Sequence, residues 1–287
     1  MLIGYNISGI LDHDKLFDLL DDGCNYIQLF THDPCKFSFN NNFKLDDNLK
    51  EIIKKNNIGI VIHGSFCINL CRSHNDKIAK NSIFLLKRDL EIAHKIGAIG
   101  VIIHMGKDTE KLGDEKALEN YISNLNYVLE QTKHTIIILE TGANCGSEVG
   151  SKLNILGEIR NKITDKYKER IKFCIDTCHI YSSGYDLADD DFVDTLEYYI
   201  ENTLGWENII VAHINDSKDN INSKKDRHAD ISDGNISKKN LSSFMKFINF
   251  FIKRNIPLIL ETPSNSITYC EQINLIKFFS NKVFVTK

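Results

Sequence analysis

An aspartate and a histidine three residues apart, Asp176 and His179, close the apolar run Phe173-Cys174-Ile175. Carboxylate oxygen and imidazole nitrogen are ligands that Zn²⁺ and Mn²⁺ accept, so such a pair at the end of a buried strand is a candidate metal site. Alone the spacing says little, because exposed polar pairs and helix caps produce it often. Repetition gives it weight. Downstream come His213-Ile214-Asn215-Asp216-Ser217-Lys218, then Asp226-Arg227-His228, then Glu261-Thr262-Pro263.

Residues so far apart meet only if regular elements carry them to one place. Short runs rich in Ile and Val recur at residues 2–7, 26–30, 58–63, 99–104, 135–140, 171–176, 209–213 and 257–261. Most are apolar on both faces, as strands covered by helices must be. Amphipathic segments lie between them. Residues 77–96 carry Ile78, Phe84, Leu85, Leu90 and Ile92 at helical intervals, and residues 117–129 carry Leu118, Tyr121, Ile122, Leu125 and Val128 likewise. Eight strands alternating with helices predict an α/β fold, a single (β/α)8 TIM barrel. A doubly wound open sheet is the alternative, and the glycine fingerprint it would place after the first strand is missing. The 287 residues fit one barrel, since such domains commonly run to about 250 residues or more. No Pro/Gly/Ser-rich linker divides the chain, so residues 1–287 are expected to form one domain. Residues 216–235, polar and interrupted by Lys224-Lys225, form either a solvated loop or a functional loop above the barrel mouth.

The strand ends of a barrel converge on its C-terminal mouth, where active sites of this fold are built. The last residue of each predicted strand, or its near neighbour, is His63, His104, Glu140, Asp176 with His179, His213 with Asp226 and His228 in its loop, and Glu261. One histidine at a strand end is usually a packed core residue. Six consecutive strands ending this way are not explained so simply. Four carboxylates in one apolar mouth would repel and be costly to desolvate unless divalent cations neutralise them. The set contains no Cys, which favours Zn²⁺ or Mn²⁺ in a mixed His and carboxylate site over a structural thiolate zinc.

Other candidates are weaker. His13, His32, His74, His94 and His134 fall in helices or loops and read as surface or structural residues. Trp206 and the Tyr198-Tyr199 pair read as packing. Cys67-x-x-x-Cys71 is spaced more widely than most zinc ribbons and lacks a second pair. The eight cysteines are scattered and read as reduced thiols. The formal charge of −4 announces no nucleic-acid partner. It omits bound cations, however, and three divalent ions would reverse its sign, so an anionic substrate is not excluded. No apolar stretch approaches the roughly 18 residues that cross a bilayer. Met1-Leu2-Ile3-Gly4-Tyr5 reads as a strand and not as a secretion signal. An intracellular protein, cytoplasmic or nuclear, with no membrane partner is expected.

Three stretches carry a family resemblance. Leu139-Glu140-Thr141-Gly142-Ala143, Cys174-Ile175-Asp176-Thr177-Cys178-His179 with Gly184-Tyr185-Asp186, and His213-Ile214-Asn215-Asp216-Ser217-Lys218 followed by Asp226-Arg227-His228 resemble signatures of the endonuclease IV family. These are zinc-dependent apurinic/apyrimidinic endonucleases. The likeness runs from His63 through Glu261. It implies base-excision repair of double-stranded DNA by a monomer, with cleavage 5′ to an abasic site that leaves a 3′-hydroxyl and a 5′-deoxyribose phosphate. It also implies three zinc ions, partly replaceable by manganese. His63, His104 and Glu140 would hold the first. Glu140 would bridge to the second, joined by Asp176, His213 and Glu261, and His179, Asp226 and His228 would hold the third. The catalytic carboxylates would be Glu261 and Glu140. Lys218, Lys224, Lys225 and Arg227 would meet backbone phosphates, and Phe66 and Cys67 would insert into the base stack.

The sequence departs from the family in places. His63-Gly64-Ser65-Phe66 replaces the usual His-Asp-Ser-Tyr, Met105 replaces a proline, and Cys35, with Lys36 beside it, stands where a DNA-penetrating arginine is usual. These changes bear on how DNA is gripped and touch none of the nine ligand positions. Two rival functions remain open on the sequence. A metal-dependent sugar isomerase or epimerase of the xylose isomerase type would use similar strand-end ligands, but typically one or two metals. A metal-stabilised DNA-binding module without turnover would keep the ligands and lose the reaction.

Overall fold

The structure, a computed structural model, describes residues 1–37 and 43–283. Eight parallel strands close into a barrel. In chain order these are β1 (Ile3–Ile7), β2 (Tyr26–Phe30), β3 (Gly59–His63), β4 (Val101–Ile103), β5 (Ile137–Glu140), β6 (Ile171–Asp176) and β7 (Ile209–His213). After a separate two-stranded ribbon of β8 (Asp216–Ser217) and β9 (His228–Ala229), β10 (Leu258–Leu260) closes the barrel against β1. Helices α1 (His13–Asp21), α2 (Asp47–Lys55), α3 (Lys77–Ile96), α4 (Asp114–Gln131), α5 (Leu153–Lys162), a short α6 (Thr177–Ser182), α7 (Asp190–Thr203), α8 (Asn235–Lys253) and α9 (Tyr269–Val283) complete the order. The predicted TIM barrel is the fold. Aspartates start several helices by accepting from backbone N–H groups of the first turn, among them Asp12, Asp46, Asp76 and Asp189. Helix α3 begins and ends where its periodicity predicted, stopped by Gly97 in the left-handed conformation at φ 72°. Among the described residues no helix is long and apolar enough to cross a membrane.

Side chains alternate along a strand, and inside this barrel the alternation builds two layers. The lower layer is apolar: Val61, Ile102, Ile138, Cys174, Val211 and Ile259 form one buried cluster. Two residues further along the same six strands come His63, His104, Glu140, Asp176, His213 and Glu261. The apolar layer is thus a dry floor under the ligand-type residues. β1 and β2 contribute amides, with Asn6 registered against Gln28 and Gln28 against Val61 of the floor, and the Gln28 side chain reaches up to Glu261 and His213.

Several expectations are adjusted. The β4 and β10 ladders stop one residue early, so His104 and Glu261 stand just past the last paired residues. Residues 216–235 are not a bare loop, because β8 and β9 pair as an antiparallel ribbon within them. Trp206 packs against Phe250 and Phe251, and Tyr199 lies against the core. Tyr198 does not pack: α7 turns Val193, Leu196 and Ile200 inward, which leaves Tyr198 73% exposed.

Below the floor the Tyr26 ring leans across Gly59, where an added Cβ would overlap it. Gly59→Ala should therefore lower stability by about 1–3 kcal/mol through overpacking, read as a lower urea midpoint, and Tyr26→Ala in the same chain should recover part of the loss. An unchanged midpoint in Gly59→Ala alone would show that the ring yields freely.

Candidate metal centre

Strand β6 and the helix that follows explain the Asp-x-x-His spacing. Asp176 caps α6: its Oδ1 accepts from the backbone N–H of His179 at 2.8 Å, and this leaves Oδ2 free to face the barrel mouth. Oδ2 accepts from Asn215 Nδ2 at 2.7 Å and lies 3.6 Å from His228 Nε2. One carboxylate thus ends a strand, starts a helix and joins the cluster.

Ligand-type atoms gather in three sets, each with all atoms within 4.8 Å: His63, His104 and Glu140; Glu140, Asp176, His213 and Glu261; His179, Asp226 and His228. All nine predicted positions are in the sets, and their grouping follows the family pattern. Glu140, fully buried, spans two of them. Its Oε2 lies 3.4 Å from His63 Nε2 and 3.5 Å from His104 Nε2, while Oε1 is 2.7 Å from His213 Nδ1. Asp226 Oδ1 lies 3.1 Å from both His179 Nε2 and His228 Nε2. The ribbon formed by β8 and β9 makes that last set possible, since it folds residues 226 and 228 back over the mouth.

Three observations test whether these residues suit metal ions. Donors bound at about 2.0–2.1 Å to a tetrahedral ion stand roughly 3.3 Å apart, close to the 3.1–3.5 Å spacings between His and carboxylate atoms in the first and third sets. Three buried atoms, Glu140 Oε2, His179 Nε2 and His228 Nε2, have no hydrogen-bond partner, and all three face the cluster. The opposite nitrogen of several rings is already committed to a carbonyl. His63 Nδ1 meets Gly64 O at 2.8 Å, His179 Nδ1 meets Thr141 O at 2.7 Å and His228 Nδ1 meets Glu261 O at 3.3 Å. A carbonyl only accepts, so each Nδ1 carries a proton and a neutral ring keeps its Nε2 lone pair for the cluster. Metal ligands are typically oriented in this way. The residues fit.

Protons must otherwise do the work of cations. Burial pushes the Asp176 carboxyl up from its usual range. For His228 burial favours the neutral ring, but the Asp176 and Asp226 carboxylates outweigh it and push the group up to about 9. Burial would also raise the Glu140 carboxyl, yet His104 and His213 hold it well below the ordinary value. Divalent cations meet the same demand without protonating the ligands.

Two thiols that the strand-end pattern left out also approach the cluster, Cys174 beside Glu140 and His213 and Cys178 beside Asp176 and His228. Both are fully buried, and burial pushes each thiol up to about 12. Cys71 is likewise buried and pushed up to about 12. Among the described residues neither it nor Cys67 joins a metal-type cluster, and all eight cysteines are free. His32 is structural, its ring within 2.6 Å of the Arg88 guanidinium.

The positions expected to meet DNA lie on loops around the mouth. Phe66 is 52% exposed, and its ring stands edge-on to Phe30, His63 and His104 with centroids 5.4 Å away. Its backbone N–H and the Ser65 hydroxyl both donate to Pro34 O, tying the loop after β3 to the loop that carries Cys35 and Lys36. Cys35 is exposed and Cys67 half-buried. Lys218 and Lys224 are exposed. Lys36 is paired with Asp33 at 2.7 Å, while Arg227 forks onto Asp219 with Lys225 3.7 Å away.

Sequence reasoning missed Gln28 and Asn215. Asn215 donates to Asp176 Oδ2 and accepts from the Glu261 N–H at 2.9 Å, locking two strand ends together. Gln28, fully buried, contacts Glu261 and His213. A lone amide in the interior of Tyr26-Ile27-Gln28-Leu29-Phe30 was the available signal, because a strand covered on both faces rarely carries one without a partner.

Residues 17–277 match the family model of the xylose isomerase-like TIM barrel. A protein named Probable endonuclease 4 from Mycoplasma genitalium is 40% identical over 222 residues, spanning 76% of this chain and 73% of that one. Its namesake from Halothermothrix orenii is 34% identical over 250 residues, 85% of this chain and 86% of that one. The crystal structure of endonuclease IV from Thermus thermophilus superposes with a TM-score of 0.77 at 22% identity, covering 98% of this chain and all of that one, and so shares the fold.

Proposed function

This chain belongs to the endonuclease IV family, and on that premise we propose that it hydrolyses the DNA backbone 5′ to an abasic site, leaving a 3′-hydroxyl and a 5′-deoxyribose phosphate. It would act as a monomer, the whole chain serving as one endonuclease domain. The observation that carries the reading is the trio of buried, unpartnered donor atoms, Glu140 Oε2, His179 Nε2 and His228 Nε2, facing other ligand-type atoms in the barrel mouth.

The family and the donor sets together support dependence on metal. We assign three zinc ions, with manganese a partial substitute. His63, His104 and Glu140 would hold the first, Glu140, Asp176, His213 and Glu261 the second, and His179, Asp226 and His228 the third. Divalent cations so held supply positive charge against the phosphate and make a nucleophile available near neutral pH. The protein's own groups set the geometry. Glu140 joins the first two sets through its two oxygens. Glu261 keeps 14% of its side chain exposed to the mouth, with Oε2 3.1 Å from His213 Nδ1, where it can orient an attacking water. Lys218, Lys224, Lys225 and Arg227, with Lys36 across the mouth, give phosphate contacts that position the duplex without reading its sequence. Arg227, Lys225 and Lys36 do so by exchanging their intramolecular carboxylates for phosphate. Phe66, with Cys67 beside it, offers a half-exposed ring to the stack left open by the missing base. A sugar isomerase would have no use for the third set or for a ring placed this way.

A duplex with a single abasic site should be incised, and the activity should disappear with a chelator and return with zinc. Uncut abasic duplex in the presence of metal would end the proposal. Glu261→Gln should lower turnover by about 10²-fold or more, as the loss of one well-placed electrostatic group does, while abasic DNA is still bound. Near-normal turnover would mean the carboxylate has another role.

Elemental analysis should find close to three equivalents of zinc. His228→Ala should deplete the third ion more than the others, because only His179 and Asp226 remain to hold it. One equivalent or less in fully active protein would remove the trinuclear assignment.

Phe66→Ala should reduce the preference for abasic over intact duplex by about tenfold, in line with aromatic stacking of about 1–3 kcal/mol per base. Cys35→Ala should change little, and Cys35→Arg should tighten abasic binding. A folded Phe66→Ala protein with its full preference would show that the ring only packs against His63 and His104.

A further inference from the structure

We propose that Gln28 is a positioning residue for the metal centre, one amide that orients both His213 and Glu261 toward the second ion. The inference rests on the metal reading above. Gln28 lies on β2, a strand that supplies no ligand, registered beside Val61 of the apolar floor, and its side chain reaches two of the ligand-type residues above. It has no exposed surface, so neither end of its amide can turn to water and each needs a partner within the protein. Both ends are paired. One atom lies 2.6 Å from Glu261 Oε1 and 3.4 Å from Asn6 Oδ1. Those oxygens accept, so that atom is the amide NH₂. The other end is then the carbonyl, and it lies 2.8 Å from His213 Nε2.

Two consequences follow for the centre. His213 must carry a proton on Nε2, which makes Nδ1 its metal-facing nitrogen, 2.7 Å from Glu140 Oε1 and 3.1 Å from Glu261 Oε2. Glu261 has Oε1 committed to Gln28, which turns Oε2 toward the same point. For His63, His179 and His228 the orienting acceptor is a backbone carbonyl, and in each the metal-facing nitrogen is Nε2. His213 is reversed, and its acceptor is a side chain. A mutation can therefore remove this orienting contact without disturbing the backbone. Volume alone does not require the amide, since the floor beside it is filled by Val, Ile and Cys.

The test is Gln28→Met, similar in size and without strong hydrogen bonds, with Gln28→Leu as a second variant should the first misfold. Bound metal is counted by elemental analysis after dialysis against graded chelator, beside thermal unfolding of the metal-free protein and kcat and KM on an abasic duplex. Orienting partners of metal ligands are worth about 10–100-fold in affinity or activity. We expect one equivalent to be lost at about 10–100-fold lower chelator, kcat to fall by a similar factor and KM to hold. A purely structural residue would instead lower the unfolding temperature of the metal-free protein and leave metal retention unchanged, and that result overturns the proposal. Wild-type metal retention and kcat in the variant overturn it equally. Failure of the metal reading itself appears separately, as wild-type protein that carries no divalent metal before any variant is compared.

Discussion

Carboxylates buried together in one end of the barrel are the constraint that the rest of the structure answers to. Glu140 and Asp176 are fully enclosed, and Glu261 stands beside them. Removing a carboxylate from water costs several kcal/mol even after relaxation, and neighbouring negative charges add to that. Such a group persists only with positive charge or donors on every side. The structure supplies five imidazoles, the amides of Gln28 and Asn215, and the N–H of His179 at the start of α6. It still leaves an oxygen of Glu140 unsatisfied. A site so heavily furnished and still incomplete is shaped for cations.

Holding that arrangement determines what the scaffold must be. Parallel strands point every second residue inward, so a ring of ligands requires another ring of inward side chains two residues below it. Filling that lower ring with Val, Ile and one Cys keeps water from reaching the carboxylates from beneath. The same geometry holds the exposed ring beside the mouth. Phe66 is joined to the centre through the rings of His63 and His104, and its loop is tied to the β2 loop through Pro34 O. The ligand-type His63 and the exposed ring of Phe66 thus sit on one strand and the loop that follows it, so a displacement of one displaces the other.

Much of this was legible in the sequence, and the reason is chemical. Val- and Ile-rich runs covered on both faces have few alternatives to a parallel barrel, and a His or carboxylate ending each run is visible without coordinates. The grouping of the ligands by ion came only from the family resemblance, because spacing along the chain carries no information about which strand ends touch. Gln28 and Asn215 escaped for a different reason. Amides are common in loops and strands, and nothing in their type separates a buried bidentate bridge from a surface residue until both partners are known. The ribbon within residues 216–235 was hidden by composition, since its strands have two residues each and its hold on α8 runs through the buried Asp216 carboxylate, which accepts from the N–H groups of Ile236 and Ser237.

That ribbon also bears on why one barrel type serves both sugar and nucleic-acid chemistry. The floor and the strand-end ligand-type residues belong to the barrel strands of a xylose isomerase-like fold, and a fold of one type can host different chemistries. The third donor set does not come from the strands alone. His179 comes from the first turn after β6, while Asp226 and His228 arrive on an excursion that leaves β7, pairs with itself and is anchored to the start of α8. Lys218, Lys224, Lys225 and Arg227 lie on that same excursion. One insertion therefore adds a metal-type set and a row of cations on the side from which a duplex would approach. Both additions suit a phosphodiester, with its charge and its need for a stabilised leaving oxygen, and neither would serve an uncharged sugar.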